Sequence, residues 1–528
     1  MGSQDQVRVT FVPGGVSAEV EPGSTVLAAA SGAGLVIPAP CGGRGACGRC
    51  AISVEAGELE PPSAEEVRAL SRARTEPSKV RLACVAQVSG PVTVRARVLS
   101  SSYVDGGFRR TAARRRVVGA VDLGTTTVSA AVLDPSSGER LGKATVGNRQ
   151  TIHGADILSR ISAALEDRGL QMREAAEASL IEAVELACED AGIVATGFDR
   201  IVVAANTAML SLLVGVDVSG LAAHPFAHAI PDTVPLGNTA FMQAFPGARV
   251  LAIPPVEAFV GGDLTAGLIA EGLAEGATGV AYLDIGTNAE IAVLHSGDVH
   301  VASAPAGPAF EGWGIACGGP ADMSGIVRMA IAAGGGWQPI TPGGLATHLT
   351  GSGLVSAVAA LRRLGHLDPD GRLLEGGPLV ESFFALSDGV RAVSLGDIYG
   401  ERGVYLSQLD IRAFQYAKAA VCVALQSCCV AAKVTGADLH EYVVVGSFGG
   451  ALAERDLIDV GVVPREAAGR LRYAGEAALN GALAVALEPG LLETARRFSV
   501  GARHVDLAAD ESFSERFIAQ TRLEAYSL

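Results

Sequence analysis

The stretch CGGRGACGRC (residues 41–50) puts Cys41, Cys47 and Cys50 on one loop with Gly42, Gly43, Gly45 and Gly48, and Cys84 follows after 33 intervening residues. Four thiolates are enough to hold two irons. Three of them on a glycine-rich loop let the backbone fold round an inorganic core with amide N–H groups aimed at its sulfurs. A zinc site is the competing reading, because four cysteines also bind Zn²⁺. Structural zinc sites usually show two close cysteine pairs, whereas here three ligands are close and one is remote. The pattern therefore predicts a [2Fe–2S] cluster on Cys41, Cys47, Cys50 and Cys84.

The flanking sequence predicts the scaffold. Residues 7–11 (VRVTF) and 16–20 (VSAEV) alternate like strands on either side of Pro13-Gly14-Gly15, a hairpin signal. A short helix is expected after Ser24, read as its N-cap. Strand-like segments follow at 50–54 (CAISV) and 91–98 (PVTVRARV). This order over residues 1–98 predicts an α+β, ferredoxin-like β-grasp domain. The spacing of five residues between Cys41 and Cys47 resembles the longer loop of the adrenodoxin-like ferredoxins more than the plant type.

Residues 99–116 turn polar and then basic, ending in Arg114-Arg115-Arg116, and are read as a linker. From 117 onward, apolar runs at 117–124, 201–206, 279–286 and 442–450 alternate with Ala-rich helical stretches such as 173–191 and 411–434, the signature of an α/β architecture. Two of these runs end alike, in Asp122-Leu123-Gly124-Thr125-Thr126 and in Asp284-Ile285-Gly286-Thr287-Asn288. One Asp-x-Gly-Thr turn is weak evidence. Two copies about 160 residues apart, each closing a buried strand and opening another, are a specific signal. Glycine exposes amide donors in such a turn, threonine hydroxyls add more, and together they can cradle phosphate oxygens. The paired aspartates, Asp122 and Asp284, suit water-mediated Mg²⁺ and the positioning of an attacking water.

The pair resembles the two phosphate motifs of the acetate kinase, sugar kinase, Hsp70 and actin (ASKHA) superfamily. Residues 254–258 and 480–484 resemble its connecting helices, and Gly446-Ser447-Phe448-Gly449-Gly450 its adenosine motif. The resemblance implies a two-lobed ATPase, with a first lobe at 117–278 and a second at 279–528. It implies ATP contacts from Gly124, Thr125, Thr126, Gly286, Thr287, Asn288, Gly446, Ser447 and Gly449, and catalytic roles for Asp122 and Asp284.

A ferredoxin domain fused to such an ATPase is similar, over essentially the whole chain, to the reductive activators of corrinoid-dependent enzymes. The segments 206–209, 304–312 and 351–354 share in the likeness; that family commonly has a cysteine before Gly351-Ser352-Gly353, where this chain has Thr350. The resemblance implies ATP-dependent reduction of a corrinoid protein from Co(II) to Co(I), with a [2Fe–2S] cluster, ATP and Mg²⁺ as cofactors. The implied partners are the corrinoid protein of a methyltransferase system and an upstream electron donor, and a homodimer is expected. Two other functions remain open: an ATP-sensing electron carrier without coupled hydrolysis, and a small-molecule kinase with a regulatory ferredoxin domain.

Bulk properties exclude other classes. A formal charge of −15 argues against nucleic acid as the main partner. No uninterrupted apolar run of about 20 residues points to a membrane span. Neither a Walker A pattern nor a dinucleotide fingerprint accompanies the motifs. The N-terminus shows no secretory pattern, and cluster-ligand cysteines fit a reducing cytoplasm. The five remaining cysteines, three of them (Cys422, Cys428, Cys429) on one Ala-rich helix, read as small buried hydrophobes.

Overall fold

The structure, a computed structural model, describes residues 6–12, 16–33, 35, 37, 50–64, 66–67, 70, 80–96, 103–104, 116–154, 156–193, 197–230, 240–332, 336–344, 346–374, 379, 382–396, 403–446 and 452–528. It divides into two compact units, Met1–Asp263 with Ala482–Leu492, and Leu264–Gly481 with Glu493–Leu528.

The first unit holds two sheets. In the N-terminal one, strands β1 (Val7–Val12), β2 (Val16–Val20), β3 (Ala51–Ala56), β4 (Arg81–Leu82) and β5 (Val92–Ala96) lie in the order β2-β1-β5-β3-β4. The first and last strands pair in parallel at the centre, and the other pairings are antiparallel. The alternation read at residues 7–11 buries Val7, Val9 and Phe11, which pack with Val26, Ala29 and Ala30 of the helix Val26–Gly32. That helix is capped one residue later than expected: the Thr25 hydroxyl, not Ser24, accepts from the amide of Ala28 at 3.2 Å.

The second sheet of this unit begins inside the expected linker. Strand β6 (Tyr103–Val104) pairs antiparallel with β9 (Arg140–Gly147), Tyr103 facing Thr145 and Val104 facing Ala144. An aromatic and a β-branched residue in an otherwise polar run supply the strand preference. The full sheet order is β11-β10-β7-β8-β9-β6, with β7 (Val117–Leu123), β8 (Thr127–Leu133), β10 (Phe198–Ala205) and β11 (Arg249–Ala252). Strands β7, β10 and β11 run parallel, and β7, β8 and β9 form an antiparallel meander. The helix Gly169–Ala191 covers it, burying Met172, Ala176, Leu180, Ala183 and Val184.

The second unit repeats this plan. Strands β12 (Val280–Ile285), β13 (Ala289–His295) and β14 (Asp298–Ala304) form the meander, and β15 (Glu441–Val445) and β16 (Leu471–Ala474) extend it in parallel. A short strand β17 (Arg503–His504) closes the far edge, giving β16-β15-β12-β13-β14-β17. The helix Gln408–Ala432 is long and apolar enough to cross a membrane, but 78% of its apolar window is buried in this unit. That burial is what a core helix shows.

The unit boundary falls before the 278/279 break expected from sequence. The helix Gly262–Ala270 belongs to the second unit from Leu264 onward, because Gly267 leaves room for the Tyr282 ring on β12. On the same helix the backbone of Ala266 meets Gly481 of the helix Ala477–Leu487, where a side chain would collide. From Ala482 that second helix belongs to the first unit.

Candidate functional site

Cys50 immediately precedes β3 and Cys84 follows β4 by two residues, so antiparallel pairing of these strands brings the two cysteines together. The amide of Ala83 donates to the carbonyl of Cys50 at 2.9 Å, which fixes the register. The two sulfurs lie 3.2 Å apart, 1% and 8% exposed by residue. This is well beyond the ~2.05 Å of a disulfide. Two buried thiols converging from distant segments fit adjacent positions on one metal centre, as the spacing requires. Cys41 and Cys47 lie outside the described residues.

A residue that sequence reasoning passed over holds this site together. Glu66 is 1% exposed, and its carboxylate accepts from Arg81 Nε at 2.9 Å and Nη2 at 3.0 Å, and from the amide of Leu82 at 2.7 Å. It therefore clamps β4 two residues before Cys84. Removing one partner of a buried ion pair costs about 3–5 kcal/mol. Glu66→Ala is expected to destabilise the N-terminal domain by that order and to release the reconstituted cluster faster on chelator challenge. Unchanged release kinetics would remove Glu66 from the support of Cys84.

The two Asp-x-Gly-Thr turns occupy equivalent places in the two units. Asp122 is the penultimate residue of β7, beside Ala204 of β10, and Asp284 the penultimate residue of β12, beside Val445 of β15. Both lie at the carboxyl ends of parallel strands, where ligands bind in open α/β sheets. In the first, the amide of Gly124 donates to the carbonyl of Thr127 at 3.0 Å, and that carbonyl lies where a Cβ at 124 would intrude. In the second, Gly286 donates to the carbonyl of Asn288 at 3.3 Å. Gly446 follows β15 directly, at φ +144°, at the same sheet end as Asp284. The second unit thus brings Asp284, Gly286, Thr287, Asn288 and Gly446 to one edge. Ser447 and Gly449 lie outside the described residues.

The geometry changes the expectation for Thr287. Its amide donates to Glu311 Oε1 at 3.1 Å and its hydroxyl to Glu311 Oε2 at 2.7 Å. Glu311 ends the 3₁₀ turn Pro308–Glu311, and Gly286 leaves it room, since a Cβ there would lie 3.1 Å from the carboxylate. The donors expected to face phosphate are engaged by an internal carboxylate. With its proton directed to Glu311, the Thr287 oxygen is presented as an acceptor, suited to a hydrated cation. Among the described residues no three His, Cys, Asp or Glu side chains converge as a protein-only metal site. Mg²⁺ at such an edge would keep waters and phosphate oxygens as most of its ligands.

Around the first turn, three residues without an assigned role in the sequence converge. Asn148 Nδ2 donates to the carbonyl of Gly124 at 2.8 Å, Arg160 Nη2 to the carbonyl of Thr125 at 2.5 Å, and Asn206 Nδ2 to Thr125 Oγ1 at 3.2 Å. Asn206 also caps the helix Thr207–Val214 through the amide of Met209 at 2.9 Å. Only the segment around Asn206 had stood out in the sequence, by likeness alone.

Other candidates resolve as structure. Lys418, which the sequence left between a surface lysine and a phosphate contact, is fully buried and donates to the carbonyl of Arg522 at 2.7 Å. Burial lowers its pKa. Burial also pushes the thiols of Cys188 and Cys429 up to about 12 and raises those of Cys422 and Cys428, so all four stay protonated and inert. Thr350 caps the helix Gly351–Arg363 through the amide of Gly353 at 3.0 Å.

Comparison with known proteins divides the chain into three matched segments. Residues 9–89 match the 2Fe-2S iron-sulfur cluster binding domain, residues 118–276 the RACo middle region, and residues 279–528 the C-terminal domain of RACo, the ASKHA domain. The corrinoid activation enzyme RamQ of Eubacterium limosum is 29% identical over 419 residues, 76% of this chain and 69% of that protein. The glycine betaine monooxygenase reductase subunit of Pseudomonas aeruginosa is 50% identical over 56 residues, 11% of this chain and 15% of that protein. Among solved structures, a reductive activator for corrinoid, iron-sulfur protein superposes with a TM-score of 0.71 at 22% identity, covering 98% of both chains. That likeness is one of fold.

Proposed function

We propose, from the matches of residues 9–89, 118–276 and 279–528 to the 2Fe-2S domain, the RACo middle region and the RACo C-terminal domain, that this chain is a corrinoid reductive activator that couples ATP hydrolysis to the one-electron reduction of a corrinoid protein from Co(II) to Co(I). The observation that carries the reading is the presence, in one chain, of the buried Cys50–Cys84 pair and of two equivalent Asp-x-Gly-Thr turns at strand ends. The cluster supplies a one-electron donor when bound.

The energetic logic concerns the acceptor. A corrinoid Co(II)/Co(I) couple lying below the donor makes transfer uphill, about 1.4 kcal/mol for each ~59 mV of a one-electron step. ATP gives no electrons; it can offset the gap only by binding states of the partner with different affinity. In this reading Asp122 and Asp284 hold Mg²⁺ through water and orient the attacking water, and Gly124, Thr125 and Thr126 receive phosphate oxygens. Gly286, Asn288 and Gly446 complete the nucleotide contacts, with the Thr287 oxygen facing the hydrated cation. The client is a corrinoid protein of a methyltransferase system, and the setting is the cytoplasm, with a separate protein reducing the cluster. A homodimer is the proposed assembly.

The test uses chemically reduced protein and a Co(II) corrinoid protein, mixed with MgATP, with a non-hydrolysable analogue, or with neither. The Co(I) absorption band is expected with MgATP alone. Equal Co(I) yield in all three mixtures would leave an electron carrier with a nucleotide-sensing appendage.

A further inference from the structure

Arg160 is fully buried on the helix Ile157–Ala163, and among the described residues every acceptor it binds is neutral. Its Nε donates to the carbonyl of Gly154 at 2.8 Å, and Nη1 to Gln150 Oε1 at 3.3 Å and to Met209 Sδ at 2.9 Å. Nη2 reaches the carbonyl of Thr125. The nearest influence of opposite sign is Asp156, an exposed helix cap. Burial lowers the pKa of Arg160 to about 9, with Asp156 acting in the other direction. A buried cation is costly unless an anion compensates it. A fold needing only to fill this space would do better with methionine.

The surrounding bonds show what the cation is joined to. The carbonyls of three consecutive turn residues are held from the interior: Gly124 by Asn148 Nδ2, Thr125 by Arg160, and Thr126 by the amide of Asn148 at 2.9 Å. Asn148 is itself fully buried, its Oδ1 held by the amide of Gln150 at 3.0 Å. A trans peptide is planar, with its C=O and the following N–H on opposite sides. Pinning the carbonyls of Gly124 and Thr125 inward therefore turns the N–H groups of Thr125 and Thr126 away from the interior. Successive N–H groups turned one way form an anion-binding concavity.

We propose that Arg160 is a positioning residue for polyphosphate: it locks the Thr125 peptide so that the Thr126 N–H faces the ligand, and places a fixed positive charge behind the turn. The proposal rests on the reading that Gly124–Thr126 receives the phosphates of ATP. It makes the buried charge complete only when a nucleotide binds. It also makes the contribution of Arg160 scale with phosphate charge, which a purely structural arginine would not do.

The experiment measures dissociation constants of adenosine, ADP and ATP by calorimetry on the full-length, cluster-loaded protein, for wild type, Arg160→Met and Arg160→Lys. Thermal melting and cluster absorption monitor the fold. In Arg160→Met the ATP constant is expected to rise about tenfold or more, that of ADP less, and that of adenosine by under about twofold. Arg160→Lys, which keeps the charge, is expected to recover most of the preference for ATP over adenosine. Equal loss for all three ligands, or an unchanged ATP constant, overturns the proposal. Should Arg160→Met melt far below wild type, Arg160→Lys decides, and loss of its ATP preference refutes the charge role. Wild-type protein that binds adenosine as tightly as ATP would instead refute the phosphate-site reading, and the proposal with it.

Discussion

Replacing Cys84 or Cys50 by serine is expected to abolish the [2Fe–2S] visible and EPR signals, and with them all electron delivery, while ATP turnover stays within about twofold of wild type. The two sulfurs converge at 3.2 Å from segments 34 residues apart, and each is one of the four thiolates the spacing assigns to the cluster. A serine oxygen is a poor ligand for iron–sulfur chemistry, which selects soft thiolates. The ATPase turns lie in other sheets with cores of their own, so the loss should not spread. Anaerobic reconstitution followed by absorption and EPR spectroscopy measures the first effect, and phosphate release the second. Retention of a full-strength cluster in both variants would exclude these residues as ligands. Parallel loss of ATP turnover would show that the cluster domain is needed for nucleotide chemistry.

The second large effect is expected at the paired turns. Asp122→Ala and Asp284→Ala should each lower the maximal rate of ATP hydrolysis by about 10²–10³-fold, the scale on which one preorganised electrostatic contact acts in a transition state. Each aspartate is the penultimate residue of a central strand whose parallel neighbour supports it, Ala204 beside Asp122 and Val445 beside Asp284. Glu290 sits opposite Asp284 on β13 and is 6% exposed, so a substitution at 284 also alters a buried acidic neighbourhood. Melting temperature must therefore be measured with the rate. Cluster spectra should be unchanged in both variants. Hydrolysis within threefold of wild type in both would remove the aspartates from the catalytic site.

Glu311 bears on how the second turn meets a nucleotide. A carboxylate holding both donors of Thr287 repels phosphate and attracts a cation. The two turns look alike in sequence but differ in charge: the first is backed by the cation of Arg160, the second by the anion of Glu311. Taken each by itself, the first turn has the charge to favour an anion and the second a cation.

Much of this was legible in the sequence because it rests on short-range rules. The spacing of Cys41, Cys47, Cys50 and Cys84 specified a metal site before any strand was placed. Period-two alternation gave β1 and β2, and long apolar runs gave β7, β10, β12 and β15 to within a few residues. The repeated Asp-x-Gly-Thr marked the same point in two sheets, since a strand ending in a tight turn needs glycine wherever it occurs. What the sequence alone could not supply was which distant side chains stand behind those turns. Arg160 reaches Thr125 across 35 residues and Asn206 reaches it across 81, while Glu66 reaches Arg81 across 15. An isolated arginine, asparagine or glutamate gives no sign of its partner, because composition and periodicity carry no information on partners. Burial is decided when sheets and helices pack, and only then do a cation without an anion, a clamped strand and a phosphate-type turn closed by a carboxylate come into being.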